Sequence, residues 1–444
     1  MAITTLSLFR LKVPFSFDLL PDMFTGLPVS QLEMRLPEGH LSDNSKACQE
    51  ASHQALLDFP VLAGYHHIPG TGERKTHRII YHDTMPKNSP RPTLADLGIV
   101  IFDMDGVLID VADSYRRTIV QTVEIYLTQG LGFSKARQPL VTEGDILLFK
   151  QIGGFNNDWD LTTALLFYFL SLTDMQPSEM HATPQTLDEA LHILRAAGHG
   201  RHMSAQALLR KKNVTEFIRR IRHYGNGLEA MRKLVDSNAQ ALVFSEGDLN
   251  STNLVKRMFQ EIYLGPHFQR IHHSLPRFYK GQGMYRKEKL LIKRETLKRL
   301  SRRVTLGIAS GRPRAEAILA LDRFGIGPYF KSLITLDECE EAEARLLRDR
   351  KKTESLSKPH PFSVIEAVRR ISTSSVSSAY VGDVPDDIEA AKRAKGTIDI
   401  LAVGCLAPYK NDRDKMKDLL MAHGADLVVE SPDELMELLA SGTG

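Results

Sequence analysis

The chain is predicted to be an α/β protein. It has a doubly wound parallel sheet carrying a large helical insertion, and an extra N-terminal segment precedes it. Three observations predict this. Ile99-Val100-Ile101-Phe102 is a continuous apolar run, as expected of a parallel strand buried on both faces. After about residue 304, short apolar runs alternate with helical patterns, as in βαβ units. Between these regions about 190 residues read as successive helices, so one sheet is split in sequence by an insertion.

Residues 1–96 read as a separate segment with no recognisable chemistry. A helix is predicted over 45–58 and a short strand over 78–81, and Pro86, Pro90 and Pro92 then punctuate a linker. His66 and His67 are adjacent and would face opposite sides of a strand, so they are read as loop or surface residues. Arg10 and Lys12 precede the first acid, Asp18, but two cations are too few for a transit peptide and no secretory apolar core follows Met1. Cys48, Cys339 and Cys405 have no metal-ligand spacing and imply a reducing compartment. No apolar stretch is long enough to span a membrane. The expected location is cytoplasmic.

Asp103 and Asp105 stand at the C-terminal end of the first apolar run, the edge where open α/β sheets bind ligands. On an ideal strand the two point the same way, with Met104 opposite, and Gly106 lets the chain turn away. Like charges this close need a cation or a proton between them.

Residues 97–111 and 301–444 are assigned to the core and 112–300 to the insertion. Helices are predicted in the insertion over 113–127, 146–150, 161–172, 187–197, 205–212, 214–223, 227–235 and 251–262. Residues 241–244 are its only candidate strand, and 286–300 reads as a strongly basic helix. From residue 201 to 303 about two dozen Lys and Arg stand against eight acids. This is read either as solvated helix faces or as a field that attracts an anionic substrate. Nucleic acid is disfavoured, since no finger motif or aromatic-interleaved groove is present.

In the core, strands are predicted over 304–309, 333–336, 379–381, 397–403 and 427–429. Helices are predicted over 314–324, 362–370, 388–394, 413–422 and 433–439, and the charged stretch 338–351 reads as helical or disordered. Four places at element ends then carry chemistry. They are Asp103 with Asp105, Ser310 with Gly311, Lys358, and Gly382-Asp383-Val384-Pro385-Asp386-Asp387. Each alone is unremarkable: a turn, a helix cap, a surface lysine, a second cap. Together, in this order, they suit phosphoryl transfer. Asp103 would be the nucleophile and Asp105 the acid that protonates the leaving alcohol, then the base that activates water. Ser310 and the N–H groups beside it would hold phosphate oxygens, with Lys358 neutralising charge on Asp103 and the phosphoryl group. Asp383 would complete an oxygen-only magnesium shell with Asp103, the Asp105 carbonyl and water, and Asp387 would sit in or near that shell.

These motifs resemble the haloacid dehalogenase superfamily, with Asp103-Met104-Asp105-Gly106-Val107 as the first motif and Ser310, Lys358 and Gly382–Asp387 as the others. The resemblance runs from about 99 to 440. The insertion resembles the helical C1 cap of subfamily I, and Asp110-Val111-Ala112-Asp113-Ser114-Tyr115-Arg116 leads into it as in subfamily IA. It implies a Rossmann-like core, Mg²⁺ and hydrolysis of a small phosphorylated metabolite. The cap is longer than usual for subfamily IA, and the N-terminal segment has no counterpart.

Within the superfamily, Asp105 argues against metal-free dehalogenases, which lack it. The missing Lys-Thr-Gly argues against P-type ATPases. A phosphomutase would carry the same motifs, and a phosphonatase would need a cap lysine that forms a Schiff base. A non-catalytic binding or regulatory protein is opposed by the intact Asp103, Asp105, Lys358 and Asp383. Residues 153–159, with the only tryptophan, form a candidate specificity loop, the alternative being a helix connection with Trp159 in the cap core. Arg116 or Arg117 could reach the substrate, the alternative being a helix surface.

Overall fold

A computed structural model describes residues 96–441 apart from Asn156, 178–182, Lys352 and Lys410. The helix expected over 45–58, the strand over 78–81, His66, His67 and Cys48 lie outside the described residues. Strand β1 (Ile99–Phe102) is followed by a two-residue strand, β2 (Ile109–Asp110). The insertion begins with α1 (Tyr115–Ile125), α2 (Glu143–Gln151), α3 (Asp158–Ser171), α4 (Leu187–Gly198) and α5 (Ala205–Lys211). It continues with α6 (Val214–Ile221), α7 (Gly227–Leu234), α8 (Ser237–Ala241), α9 (Leu254–Leu264) and α10 (His267–His272). The chain returns through β3 (Lys289–Leu290) and α11 (Arg294–Leu300). The rest of the core is β4 (Thr305–Ala309), α12 (Arg314–Phe324), β5 (Phe330–Ile334), α13 (Leu336–Arg350), α14 (Phe362–Ile371) and β6 (Ser378–Gly382). It ends with α15 (Pro385–Ala394), β7 (Ile400–Cys405), α16 (Arg413–His423), β8 (Leu427–Val429) and α17 (Glu434–Ser441).

Six strands form one parallel sheet in the order β5-β4-β1-β6-β7-β8. The strand that precedes the insertion is therefore central, with Ile99 opposite Thr305 on one side and Ser378 on the other. Its four side chains are all buried and alternate between two cores. Val100 and Phe102 join the cluster that extends into the insertion, while Ile99 and Ile101 pack with Val364, Ile388 and other residues of α14 and α15. The expected α/β class and split sheet are observed. β2 and β3 form a separate antiparallel ribbon, so the two chain crossings between core and insertion are hydrogen-bonded to each other.

Local chemistry explains where the elements depart from expectation. The strand expected over 333–336 is 330–334, because Thr335 caps α13 and exchanges hydrogen bonds with Glu338. The charged stretch after it is a regular helix. The strand expected over 397–403 is 400–405, since the Thr397 N–H still closes the turn after α15. Residues 241–244 are not a strand. Tyr126 Oη donates to the Leu242 carbonyl at 3.0 Å and accepts from the Phe244 N–H at 2.9 Å, so one side chain satisfies that irregular backbone. The basic helix expected over 286–300 is broken into a 3₁₀ turn, β3 and α11, with the buried Glu288 at the break.

One buried ion pair organises the backbone that follows α9 in the insertion. Arg257 and Glu261 on α9 are 1% and 0% exposed and meet at 2.6 Å. The other Glu261 oxygen accepts the N–H groups of Arg277, Phe278 and Tyr279 at 2.9, 2.6 and 3.1 Å. Glu261→Ala therefore leaves the buried Arg257 charge with only the neutral acceptors of Asn250, Ser274 and Leu275, and strands three backbone donors. It should cost about 3–5 kcal/mol in urea unfolding, whereas a loss under 1 kcal/mol would show the pair to be expendable.

Candidate active site

β1 stops at Phe102, one residue before the first candidate. The Asp103 N–H still donates to the Val381 carbonyl at 2.9 Å, holding Asp103 beside the end of β6. The chain then turns. The N–H groups of Leu108 and Ile109 both donate to the Met104 carbonyl at 2.9 and 2.8 Å, and Gly106 adopts φ +80°. The expectation that Asp103 and Asp105 share one face of a strand is thus corrected, because this turn, not strand alternation, aims them. Gly106 has a second role. A Cβ there would lie 2.3 Å from Asp383 Oδ2, so glycine makes room for that carboxylate.

Lys358 links the motifs. Its Nζ donates to Asp103 Oδ1 at 2.9 Å, to Asp387 Oδ1 at 2.6 Å and to Tyr380 Oη at 3.0 Å. Asp387 is fully engaged, since its other oxygen accepts the N–H groups of Asp383 and Val384 at 3.1 and 3.3 Å. Asp383 accepts from Tyr409 Oη at 3.3 Å. Ser310, at the end of β4, donates its N–H to the Ile334 carbonyl at 2.9 Å and lines the same cavity as Gly311 and the acids. The structure therefore brings together every residue singled out from the four motifs.

Electrostatics follow from this crowding. Burial, with Asp387 and Asp105 nearby, pushes the Asp103 carboxyl from its ordinary 3.8 up to about 7, against the pull of Lys358. Burial, with Asp387 and Asp103 nearby, raises Asp383 well above its ordinary value. Burial works to lower Lys358, but Asp103 and Asp387 outweigh it and keep the amine charged.

Arg312 was not anticipated. It is 2% exposed, and its Nε and Nη2 reach Asp105 Oδ1 at 2.7 and 2.5 Å. Nη2 also donates to Glu288 at 3.0 Å and Nη1 to Tyr263 Oη at 3.0 Å, and the guanidinium lies 4.9 Å from the centre of the Tyr115 ring. Asp105 is thus held by a core arginine, which is held in turn by residues of the insertion and of its return path. In the sequence Arg312 reads only as part of a turn. No local spacing shows that Glu288, 24 residues earlier, faces it.

The cavity has a volume of about 100 Å³. Its insertion-side wall includes Arg116, Lys150, Asn157, Asp158 and Trp159. Of the candidate loop, Asn157–Trp159 line the cavity and Gly154 N–H donates to Asp386 Oδ2 at 3.4 Å, while Asn156 lies outside the described residues. Trp159 also packs edge-on against Phe259 and carries Lys256 over its ring, so it lines the cavity and packs against the insertion's core at once. Arg117 faces out and pairs with Asp113 at 2.9 Å. Among the described residues, none from 201–303 lines the cavity, so the basic stretch does not form its wall.

Residues 97–395 match the family described as haloacid dehalogenase-like hydrolase. The chain belongs to this family. A curated relative, an imidazoleglycerol-phosphate dehydratase of Phytophthora nicotianae, is 24% identical over 311 residues, which are 70% of this chain and 43% of the relative. The chain thus spans about two fifths of that relative's length. Among solved structures, a structural-genomics target is 20% identical with a TM-score of 0.49, covering 78% of this chain and 99% of its own. The phosphatase Tt82 of Thermococcus thioreducens is 19% identical with a TM-score of 0.38, covering 73% and 99%.

In this haloacid dehalogenase-like chain the donor set suits a hard divalent cation. Oxygens of Asp103, Asp383 and Asp387 lie within 4.8 Å of one another, all buried and with no nitrogen or sulfur ligand among them. Because Lys358, Tyr380 and two backbone donors occupy Asp387, the carboxylates with capacity to spare are Asp103 and Asp383. The Asp105 carboxylate is engaged by Arg312 and stands outside this group.

The raised Asp103 carboxyl sets a pH signature. The folded state keeps a proton that the unfolded chain releases, so this group's contribution to stability falls as pH rises from about 4 through about 7. In EDTA, Asp103→Asn should therefore gain stability relative to wild type between pH 5 and pH 8, and Mg²⁺ should remove the gain. Thermal unfolding in both conditions measures this. A difference that does not change with pH would contradict the crowding.

Proposed function

We propose that the protein is a Mg²⁺-dependent phosphatase that hydrolyses a small phosphorylated metabolite through an aspartyl-phosphate on Asp103. The observation that carries this reading is the pairing of two cavity carboxylates with two different cations. Lys358 holds Asp103, and Arg312 holds Asp105. Asp103 Oδ attacks phosphorus as the bond to the leaving alcohol breaks. Asp105 gives its proton to the departing oxygen, and both Arg312 contacts fall on Oδ1, which leaves Oδ2 for that proton. Asp105 then takes a proton from water, and the hydroxide displaces Asp103 from phosphorus to release inorganic phosphate. Ser310, the Gly311 N–H and Lys358 hold the non-bridging oxygens throughout. Mg²⁺ held by Asp103, Asp383 and the Asp105 carbonyl would neutralise the charge shared between nucleophile and phosphoryl group.

Lys150 bears on the phosphonatase alternative. Burial works to lower its pKa, but Asp158 at 3.2 Å and the nearby Asp383 raise it, so the amine stays protonated and makes a poor Schiff-base nucleophile. The dehydratase name of the curated relative is not carried over. Dehydration leaves a phosphate ester intact and has no use for a phosphoryl-accepting aspartate. Imidazole-bearing phosphate monoesters nevertheless belong in the substrate panel, alongside sugar phosphates and phosphorylated acids.

Phosphate release from that panel with Mg²⁺ tests the reading. Asp103→Asn should abolish turnover in a folded protein, and Asp105→Asn should lower kcat by about 10²–10⁴-fold. EDTA should silence the wild type and Mg²⁺ restore it. Turnover that survives in Asp103→Asn would sink the nucleophile assignment, and activity in EDTA would sink the metal.

A further inference from the structure

The first turn of α1 places three consecutive residues in three environments. Tyr115 turns inward, stacks on Tyr263 with ring centres 4.3 Å apart and bonds Glu316. Arg117 turns outward to Asp113. Arg116 lies between them on the cavity wall, and its buried Nε has no hydrogen-bond partner. Among the described residues no carboxylate forms an ion pair with its guanidinium, whereas its neighbour Arg117 pairs with Asp113. A buried guanidinium N–H without an acceptor is costly, and a bound anion would supply one. Lys150, on the last turn of α2, lines the same cavity and among the described residues has Asp158 as its one ion-pair partner.

Position separates these two cations from the phosphate-holding groups. Ser310, Gly311 and Lys358 come from the core, as does the nucleophile. In-line displacement places the leaving alcohol opposite Asp103, towards the insertion. The insertion's wall is where Arg116 and Lys150 stand. The cavity's 100 Å³ equals roughly seven to ten one-water spheres, room for a phosphoryl group and a short alcohol.

We propose that Arg116 and Lys150 bind a second anionic group, a carboxylate or a phosphate, on the alcohol part of the substrate. This inference rests on the phosphatase reading of the site. It makes the substrate a small phosphorylated acid or a bisphosphate. The charge that selects it comes from two residues near the start of the insertion, not from the basic stretch 201–303.

Matched esters test it. The carboxylate arm compares 3-phosphoglycerate with glycerol 3-phosphate, and the phosphate arm compares propane-1,3-diol bisphosphate with 3-hydroxypropyl phosphate. Binding is measured by calorimetric titration into Asp103→Asn with Mg²⁺, and kcat/KM by phosphate release from the unmutated nucleophile. The anion-bearing member of at least one pair should win by about tenfold or more, and the winning arm names the group. Added to either background, Arg116→Ala and Lys150→Ala should each remove most of that preference, bringing the ratio of the two members to within about threefold of one, and Arg116→Lys should retain part of it. Equal binding of both members in both pairs overturns the inference. So does a preference that survives both alanine variants, or an equal loss on both members, which would assign the cations to the transferring phosphoryl group. If Asp103→Asn discriminates but no ester is hydrolysed by the wild type, the phosphatase reading fails while the anion site stands.

Discussion

Asp103, Asp383 and Asp387 share a buried space less than 4.8 Å across, and the Lys358 ammonium makes this tolerable by reaching two of them at 2.9 and 2.6 Å. Without it the three charges would repel at low local dielectric, and protons would be drawn in to relieve them. The lysine itself is held by Asp387, whose other oxygen is pinned by the first N–H groups before α15. A helix start thus fixes a carboxylate, the carboxylate fixes a lysine, and the lysine fixes Asp103. The two lysine links, at 2.6 and 2.9 Å, have the short lengths of bonds charged on both sides, while the backbone N–H groups hold Asp387 at 3.1 and 3.3 Å.

Asp103 and Asp105 are two residues apart yet have different surroundings. Asp103 faces an ammonium among other carboxylates, the setting of a group that must be free to attack. Asp105 faces a planar guanidinium that grips one oxygen and is itself braced by Glu288, Tyr263 and Tyr115. A braced carboxylate with one oxygen spare suits a proton carrier, whose position must stay constant through two opposite transfers. The turn at Gly106 permits this division, because an extended strand would have sent both side chains toward the same neighbours.

The core was legible because its signals are local. The apolar run at Ile99–Phe102, the helix over Arg314–Phe324 and the acids of Gly382–Asp387 each declare themselves within a dozen residues. Boundaries failed where a side chain elsewhere decided them, as when Tyr126 satisfied the backbone at Leu242 and Phe244 in place of a strand partner. Arg312 failed for the same reason. Its meaning depends on Glu288 and Tyr263, which periodicity cannot align with it. The basic stretch left two readings open, since composition records how much charge a segment carries but not which way it faces, and none of its described residues lines the cavity.

The insertion builds part of the cavity and braces Arg312, so it is more than a cover. Its first helix supplies Tyr115 to the ring stack that supports Arg312 and Arg116 to the cavity wall, one residue apart on the same turn. Successive residues of a helix are fixed about 100° apart, so the two roles cannot be adjusted independently. The return path adds Glu288 to the same arginine immediately before β3 pairs with β2. Both crossings between insertion and core thus bear on Asp105. A displacement of α1 large enough to move Arg116 would also disturb the packing that holds Arg312 against Asp105. The cavity wall at Arg116 and the placement of Asp105 are in this way coupled through one turn of helix.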